Sequence, residues 1–182
     1  MVHAAAILAL AVACAPAAGT QAFADFSSRG LSGSQGVEVR LRHPAAWKKV
    51  PTEDPMALAE LRGPHGKLTG IVQVGRGRQR GPTGELCRPE RARTMLRQLA
   101  PEEADARVTE VVARTSAGRA GYELRYERNA SPEFLLVRSR IVCLKDSRLV
   151  VSCGATGPTR MAVADIEPVC REVLDSLAIA EE

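Results

Sequence analysis

Four cysteines, Cys87, Cys143, Cys153 and Cys170, restrict the folds open to this chain more than any other feature. No two of them lie two to four residues apart, and spacings of 56, 10 and 17 match no common zinc module. An even set in an exported chain favours two disulfides over four thiols. The fold must therefore bring distant segments to within about 7 Å, Cα to Cα, at two places.

Export is read from the N-terminus. From Ala4 to Ala18 the chain runs AAAILALAVACAPAA without a charge. At about 1.5 Å per residue that run is too short to span a bilayer comfortably, and Pro16 interrupts it. Ala22-Phe23-Ala24 then offers small residues at both positions a leader peptidase reads, so residues 1–24 are expected to be a signal peptide cut after Ala24. Ala11-Val12-Ala13-Cys14 also resembles a lipoprotein box, which makes Cys14 the alternative processing point and a candidate for lipidation. The expected location is periplasmic or extracellular, or the outer membrane if Cys14 carries lipid.

Residues 25–36 are rich in Ser and Gly and predict a flexible lead-in to a single domain over 37–180. Val37, Val39 and Leu41 alternate with Glu38, Arg40 and Arg42, the pattern of a half-buried strand ending at His43-Pro44. Leu58 and Leu61 mark a second strand, and Leu68 to Val74 a third. Residues 75–84 hold four glycines and a proline and predict no regular element. Pro89 opens a helix whose Ala92, Met95, Leu96 and Leu99 form one apolar stripe, closed by Pro101. Val108 to Thr115, Ala120 to Glu127, Phe134 to Cys143 and Arg148 to Cys153 read as strands, the last two joined around Lys145-Asp146-Ser147. Ile166, Val169, Cys170, Val173, Leu174 and Leu177 keep helical spacing, with Asp165 as the expected N-cap. Hairpin-length connections favour an antiparallel sheet, and two amphipathic helices must bury their stripes on it, giving an α+β domain.

This order constrains the disulfides. With Asp146 at the hairpin tip, Cys143 faces Leu149, and Cys153 lies on the same face about 13 Å further along. That excludes Cys143–Cys153. Cys170 sits on the apolar stripe of a helix that returns over the strand carrying Cys153. Cys153–Cys170 with Cys87–Cys143 is therefore favoured, and Cys87–Cys153 with Cys143–Cys170 stays open. The loop of about 17 residues closed by Cys153–Cys170 contributes on the order of 3 kcal/mol by restricting the unfolded chain.

The strand ending in Pro44-Ala45-Ala46-Trp47, the Gly-rich gap before a helix, the Gly118-Arg-Ala-Gly-Tyr-Glu123 stretch and the closing Val173-Leu-Asp-Ser-Leu177 helix together resemble the PsbP-like superfamily. That superfamily is named for an extrinsic protein of photosystem II and includes a small Ran-binding nuclear factor and many bacterial lipoproteins and secreted proteins. The resemblance implies an antiparallel sheet flanked by helices in an α/β/α sandwich. It also implies a binding or assembly role rather than catalysis, and it carries over no functional residues.

Chemistry-bearing candidates are few. Gly75-Arg76-Gly77-Arg78-Gln79-Arg80-Gly81 alternates flexible backbone with guanidinium forks, so Arg76, Arg78 and Arg80 are the candidate anion-binding set. The segment lacks the spacing of a dinucleotide loop and the Lys-Ser/Thr of a P-loop. His43 and His65, the histidines beyond the leader, accompany no hydrolase motif, and Trp47 and the Tyr122–Leu124–Tyr126 face read as core. Lys48, Lys49, Lys67 and Lys145 are the only lysines among 25 basic side chains, yet acidic residues are interspersed and the net charge is only +4. Six aromatic residues are too few for a single-strand stacking platform, so no nucleic-acid partner is expected. The expectation is a non-catalytic accessory module of the bacterial envelope, without metal or cofactor, whose partner is an envelope protein or small ligand. The alternatives are an anionic-surface binder using residues 75–81, and a hydrolase whose site is assembled only in space.

Overall fold

Alternation of apolar and polar residues every second position makes strands, and here it makes most of the molecule. The computed structural model describes residues 21–34, 36–78, 87–99, 105–130 and 132–181. In chain order they form β1 (Phe23–Ser27), β2 (Val37–Pro44), β3 (Lys48–Val50), β4 (Ala57–His65) and β5 (Leu68–Arg78). A 3-10 turn at Pro89–Arg91 leads into α1 (Ala92–Leu99). Then follow β6 (Arg107–Ser116), β7 (Arg119–Ala130), β8 (Glu133–Cys143), β9 (Ser147–Gly157), α2 (Arg160–Ala164), α3 (Glu167–Asp175) and β10 (Ala178–Glu181).

Seven strands form one antiparallel sheet in the order β3-β4-β5-β9-β8-β7-β6. β5 meets β9 over ten paired positions, from Thr69–Thr156 to Arg78–Ser147, although more than sixty residues separate their nearest ends in sequence. On one face, Tyr122, Leu124, Tyr126, Val137 and Ile141 pack with Ala92, Met95 and Leu96 of α1. On the other, Leu61, Val72, Val151 and Cys153 pack with Val163 of α2, with Val169, Cys170, Val173 and Leu174 of α3, and with Val37, Val39 and Leu41 of β2. Helices thus lie on both faces of an antiparallel sheet, as the α+β expectation requires. Each helix is short, and its apolar stripe is stabilised mainly by this burial.

The structure adds a second sheet, of order β1-β2-β10. Its middle strand is the one read first from the sequence, but that strand pairs with the two chain ends rather than with the main sheet. Residues 25–36 therefore begin as structure and not as a flexible lead-in. Phe23 lies opposite Pro44 and Ser27 opposite Arg40, Phe26 is buried, and the Ala22 carbonyl accepts a hydrogen bond from Ala45 N at 2.9 Å. Ser and Gly composition did not reveal this, because Phe23 and Phe26 supply the anchoring and a partner strand supplies the hydrogen bonds.

Three further expectations are corrected. β5 continues through Gly75 and Gly77 to Arg78, because pairing with Ser147–Val150 offsets the weak strand propensity of glycine. Asp165 caps no N-terminus. It is the C-terminal cap of α2, whose own N-cap is Thr159, accepting from Ala162 N at 3.1 Å, and α3 follows almost at once from Ile166. The β8–β9 turn is the two-residue Lys145-Asp146, closed by Leu144 N to Ser147 O at 2.9 Å, so Cys143 pairs with Arg148 rather than Leu149. A shift of one residue puts Cys143 and Cys153 on opposite faces. Each cysteine then meets the elements on its own face. Cys143 is bonded to Cys87, with Cα atoms 6.0 Å apart, and Cys153 to Cys170, at 5.2 Å.

Trp47 is 1% exposed, and its Nε1 donates to the Pro64 carbonyl at 3.1 Å. The indole lies directly on two glycines of the β4–β5 hairpin. A Cβ at Gly70 would come 2.1 Å from Trp47 Cζ2, and one at Gly63 2.5 Å from Cδ1. We expect Gly70→Ala to lower unfolding free energy by about 1–3 kcal/mol through overpacking, measured by urea denaturation. At the β6–β7 turn Ala117 holds φ of 51° beside Gly118 at 75°. A residue with a β-carbon is costly in that left-handed region, and Asn less so than Ala because its short polar side chain can hydrogen-bond locally. Ala117→Asn should therefore raise stability by up to about 1 kcal/mol in the same assay.

Candidate functional site

β7 carries two different faces. Tyr122, Leu124 and Tyr126 point toward α1, and Glu123, Arg125 and Glu127, one residue out of phase, point the opposite way. In an antiparallel sheet with one covered face, such a charged side commonly meets solvent. Instead it is roofed by α2 and α3, and β8 adds Arg138 and Arg140 to the same face. The Arg138 side chain is 5% exposed and Glu123 equally so.

These residues form one connected network. Arg138 donates to Glu123 Oε1 at 2.7 Å, to Glu110 Oε2 of β6 at 2.9 Å and to Glu167 Oε2 of α3 at 3.1 Å. Arg140 grips Glu123 Oε2 from Nη2 at 2.7 Å and Nε at 3.1 Å, reaches Asp175 at 2.9 Å, and donates to the Leu174 carbonyl at the end of α3. Arg125 donates to Glu167, Glu127 and Thr109. Arg160 of α2 closes the ring on Glu127 at 3.0 Å. Three strands and both helices are thereby fixed in register by charge-assisted hydrogen bonds, the strongest kind a protein makes.

Burial and pairing act in opposite directions on the carboxylates. Burial alone would raise the pKa values of Glu123, Glu127 and Glu167. The hydrogen bonds from Arg138 and Arg140 to Glu123, from Arg125 and Arg160 to Glu127, and from Arg125 and Arg138 to Glu167 outweigh it, holding all three below the usual carboxylate range. Above the network opens a cleft of about 780 Å³, lined by Thr109, Glu110, Arg125, Arg138, Arg160, Glu167 and Arg171 among others. Four guanidinium groups border it, but carboxylates of the network already compensate the inner ones. The cleft offers hydrogen-bond donors of fixed geometry rather than a strong net charge.

Of the residues singled out from sequence, Arg76 is engaged structurally. Its Nε donates to Ser147 Oγ at 3.1 Å and its Nη1 to the Ser34 carbonyl, tying β5 to the turn before β2. Arg78 ends β5, while Arg80 lies outside the described residues, as does Cys14. Of this set, only the side chain of Arg76 is described. His43 is buried with Nδ1 2.9 Å from the Pro44 carbonyl, and His65 lies at the far end of β4. Among the described residues no group of three or more His, Cys, Asp or Glu is placed to hold a metal.

The Glu123 network was missed as a site, although one signal for it was present. Arg138-Ser139-Arg140 interrupts the otherwise apolar FLLVRSRIVC strand, and two arginines two residues apart in a strand share a face.

No family model and no curated protein sequence matches the chain. Among solved structures it is similar to LpqN, described as involved in cell envelope biogenesis of Mycobacterium tuberculosis. The TM-score is 0.52 at 14% identity, over 87% of this chain and 91% of LpqN. A protein of Bacteroides thetaiotaomicron matches with a TM-score of 0.46 at 12% identity, over 87% of this chain and 48% of that one. At these identities the LpqN likeness is one of fold.

Carboxylates held below their unfolded values contribute stability that is complete above about pH 5 and is lost as pH falls through about 4 toward the folded values. Unfolding free energy should therefore be flat near neutrality and drop steeply on acidification. Glu123→Gln should remove about 3–5 kcal/mol at pH 7, because it strands Arg138 and Arg140, and should flatten the acid limb in pH-dependent urea titrations.

Proposed function

We propose that this chain is an exported, non-catalytic binding or accessory module of the bacterial cell envelope, built on a PsbP-like domain. The observation that carries this reading is the pair of disulfides at the heart of the fold. Cys153 and Cys170 are both fully buried between β9 and α3, and the second bridge joins the start of the α1 region to β8. Buried structural disulfides persist in oxidising compartments. LpqN, whose fold this chain resembles, is described as an envelope-biogenesis protein, which agrees with that address. The binding role is supported by the polar cleft above Glu123, whose arginines are held by carboxylates rather than poised beside a nucleophile.

β1 bears on how the chain is processed. A cut after Ala24 would remove Phe23 and Ala24 from a strand paired along its length with β2, and would remove the Arg42–Phe23 contact at 5.2 Å. Processing at Cys14 leaves β1 whole. We therefore favour a form anchored through Cys14 over one released at Asp25.

Intact-mass measurement on tagged protein purified from its native envelope, with co-purification after mild crosslinking, tests this. Expected are a diacylated chain starting at Cys14, four fewer hydrogens than the fully reduced form, and a specific envelope partner. A mass starting at Asp25 would refute the anchored form, and four free thiols would refute the exported one. Turnover of a model ester or peptide that tracks the purified protein would replace the binding role with catalysis.

A further inference from the structure

The last strand of an open sheet has one side of its backbone without a ladder to join, and a second chain can pair there unless something prevents it. The seven-stranded sheet ends at β3 on one side and at β6 on the other. β3 has only three residues, and its Lys48 and Lys49 are exposed, which is how edges are commonly kept from pairing. β6 is different. It runs for ten residues, Arg107–Ser116, without a lysine or a proline, and five of the ten are Val or Thr. β7 pairs with one side of it, and among the described residues no strand pairs with the other.

The device that blunts an edge is confined to one end of β6. Its register with β7 slips between Val108 and Glu110, and from Glu110 to Ser116 it is unbroken. On the α1 side of that regular stretch Val111 is exposed, one of two large apolar side chains in that state among the described residues. Glu110, Val112 and Arg114 share the opposite face, at the margin of the Glu123 network. The Glu110 side chain is 44% exposed while it accepts from Arg138, and that of Arg114 is 50% exposed at 3.9 Å from Glu123. Both can reach beyond the edge.

The order of these residues complements itself. Val112 has Glu110 two positions before it and Arg114 two positions after it. A second copy laid antiparallel, Val112 facing Val112, sets Glu110 opposite Arg114 twice and Val111 opposite Ala113 twice. Opposite charges directly across a ladder are favourable, and the edge N–H and C=O groups gain partners. Centring the pair on Glu110 or on Arg114 sets like charges against each other instead, so the charges select the register.

We propose that this chain forms a two-fold dimer in which β6 of one copy joins β6 of another, antiparallel and centred on Val112, as one continuous sheet. The partner's Arg114 then lies across from Glu110, which lines the polar cleft above the network, and adds a cation at its rim. The assembly needs nothing from the envelope reading.

Sedimentation equilibrium of the intact disulfide-bonded protein tests this, with a thermal melt of every variant. Wild type should show a monomer–dimer equilibrium that weakens as salt is raised, because the paired charges are half exposed. Arg114→Glu and Glu110→Arg should each weaken the dimer by about tenfold or more, since each turns two attractive pairs into two repulsive ones. An equal mixture of the two variants should associate again, because each chain then meets the sign it lacks. Loss of fold cannot produce that rescue. If Glu110→Arg unfolds through loss of its Arg138 contact, Val111→Lys takes its place, since it lies outside the ion pairs. An edge lysine there should dissociate the dimer while the chain keeps a cooperative melt. The proposal is overturned by a wild type that stays monomeric up to about 1 mM, including one that instead adds an extended peptide of another chain to β6. It is overturned equally by a dimer that Arg114→Glu and Val111→Lys both leave intact, or by two folded charge variants that fail to associate when mixed.

Discussion

Two-sided burial of a single antiparallel sheet is the constraint on which the rest of this molecule depends. Once helices cover both faces of β7 and β8, the polar half of each alternating strand has nowhere to meet water. One face accommodates this with Tyr122, Leu124 and Ile141 under α1. The other accommodates it with Glu123, Arg138 and Arg140 under α3, where each charge must find an opposite charge or a carbonyl. The energetic worth of such a network lies less in net stability than in the cost of breaking it, which falls on any arrangement that misaligns α3 on the sheet.

The disulfides act within that frame rather than in place of it. Because Cys143 and Cys153 point to opposite faces, each bridge serves a different layer: one ties the entry to α1 onto β8, the other ties α3 onto β9. The bridge at Cys153 and Cys170 sits inside an apolar cluster that also holds β2. The small sheet β1-β2-β10 and the main sheet thus share a core through α3.

Much of the fold was legible in the residues. Strand periodicity from Val37 onward, the Ala92–Met95–Leu96 stripe and the Val169–Cys170–Val173–Leu174 stripe are one-dimensional signals, because period 2 and period 3.6 are written in the order of side chains. What periodicity missed was pairing across sequence distance. β1 and β10 are short, of five and four residues, and acquire their hydrogen bonds only from β2. Gly75 and Gly77 have poor strand propensity and are strand only because Val150 and Arg148 lie opposite. The candidate sites were less legible still. The Gly-Arg segment drew the eye through its composition, whereas Arg138 and Arg140 are ordinary letters inside apolar strands.

Sequence alone therefore determined the secondary-structure type of the long segments, the identity of the helix faces that must be buried, and the even set of cysteines that had to be bridged. Each follows from local chemistry: side-chain spacing, turn residues and the reactivity of thiols. Tertiary structure decided whether a charged side chain is solvated, paired or left without a counter-charge, since that depends on which face a one-residue turn shift assigns it to and on what lies across the sheet. Glu123 and Arg148 could not be told apart from surface charges until α3 was seen over one and, among the described residues, no carboxylate paired with the other.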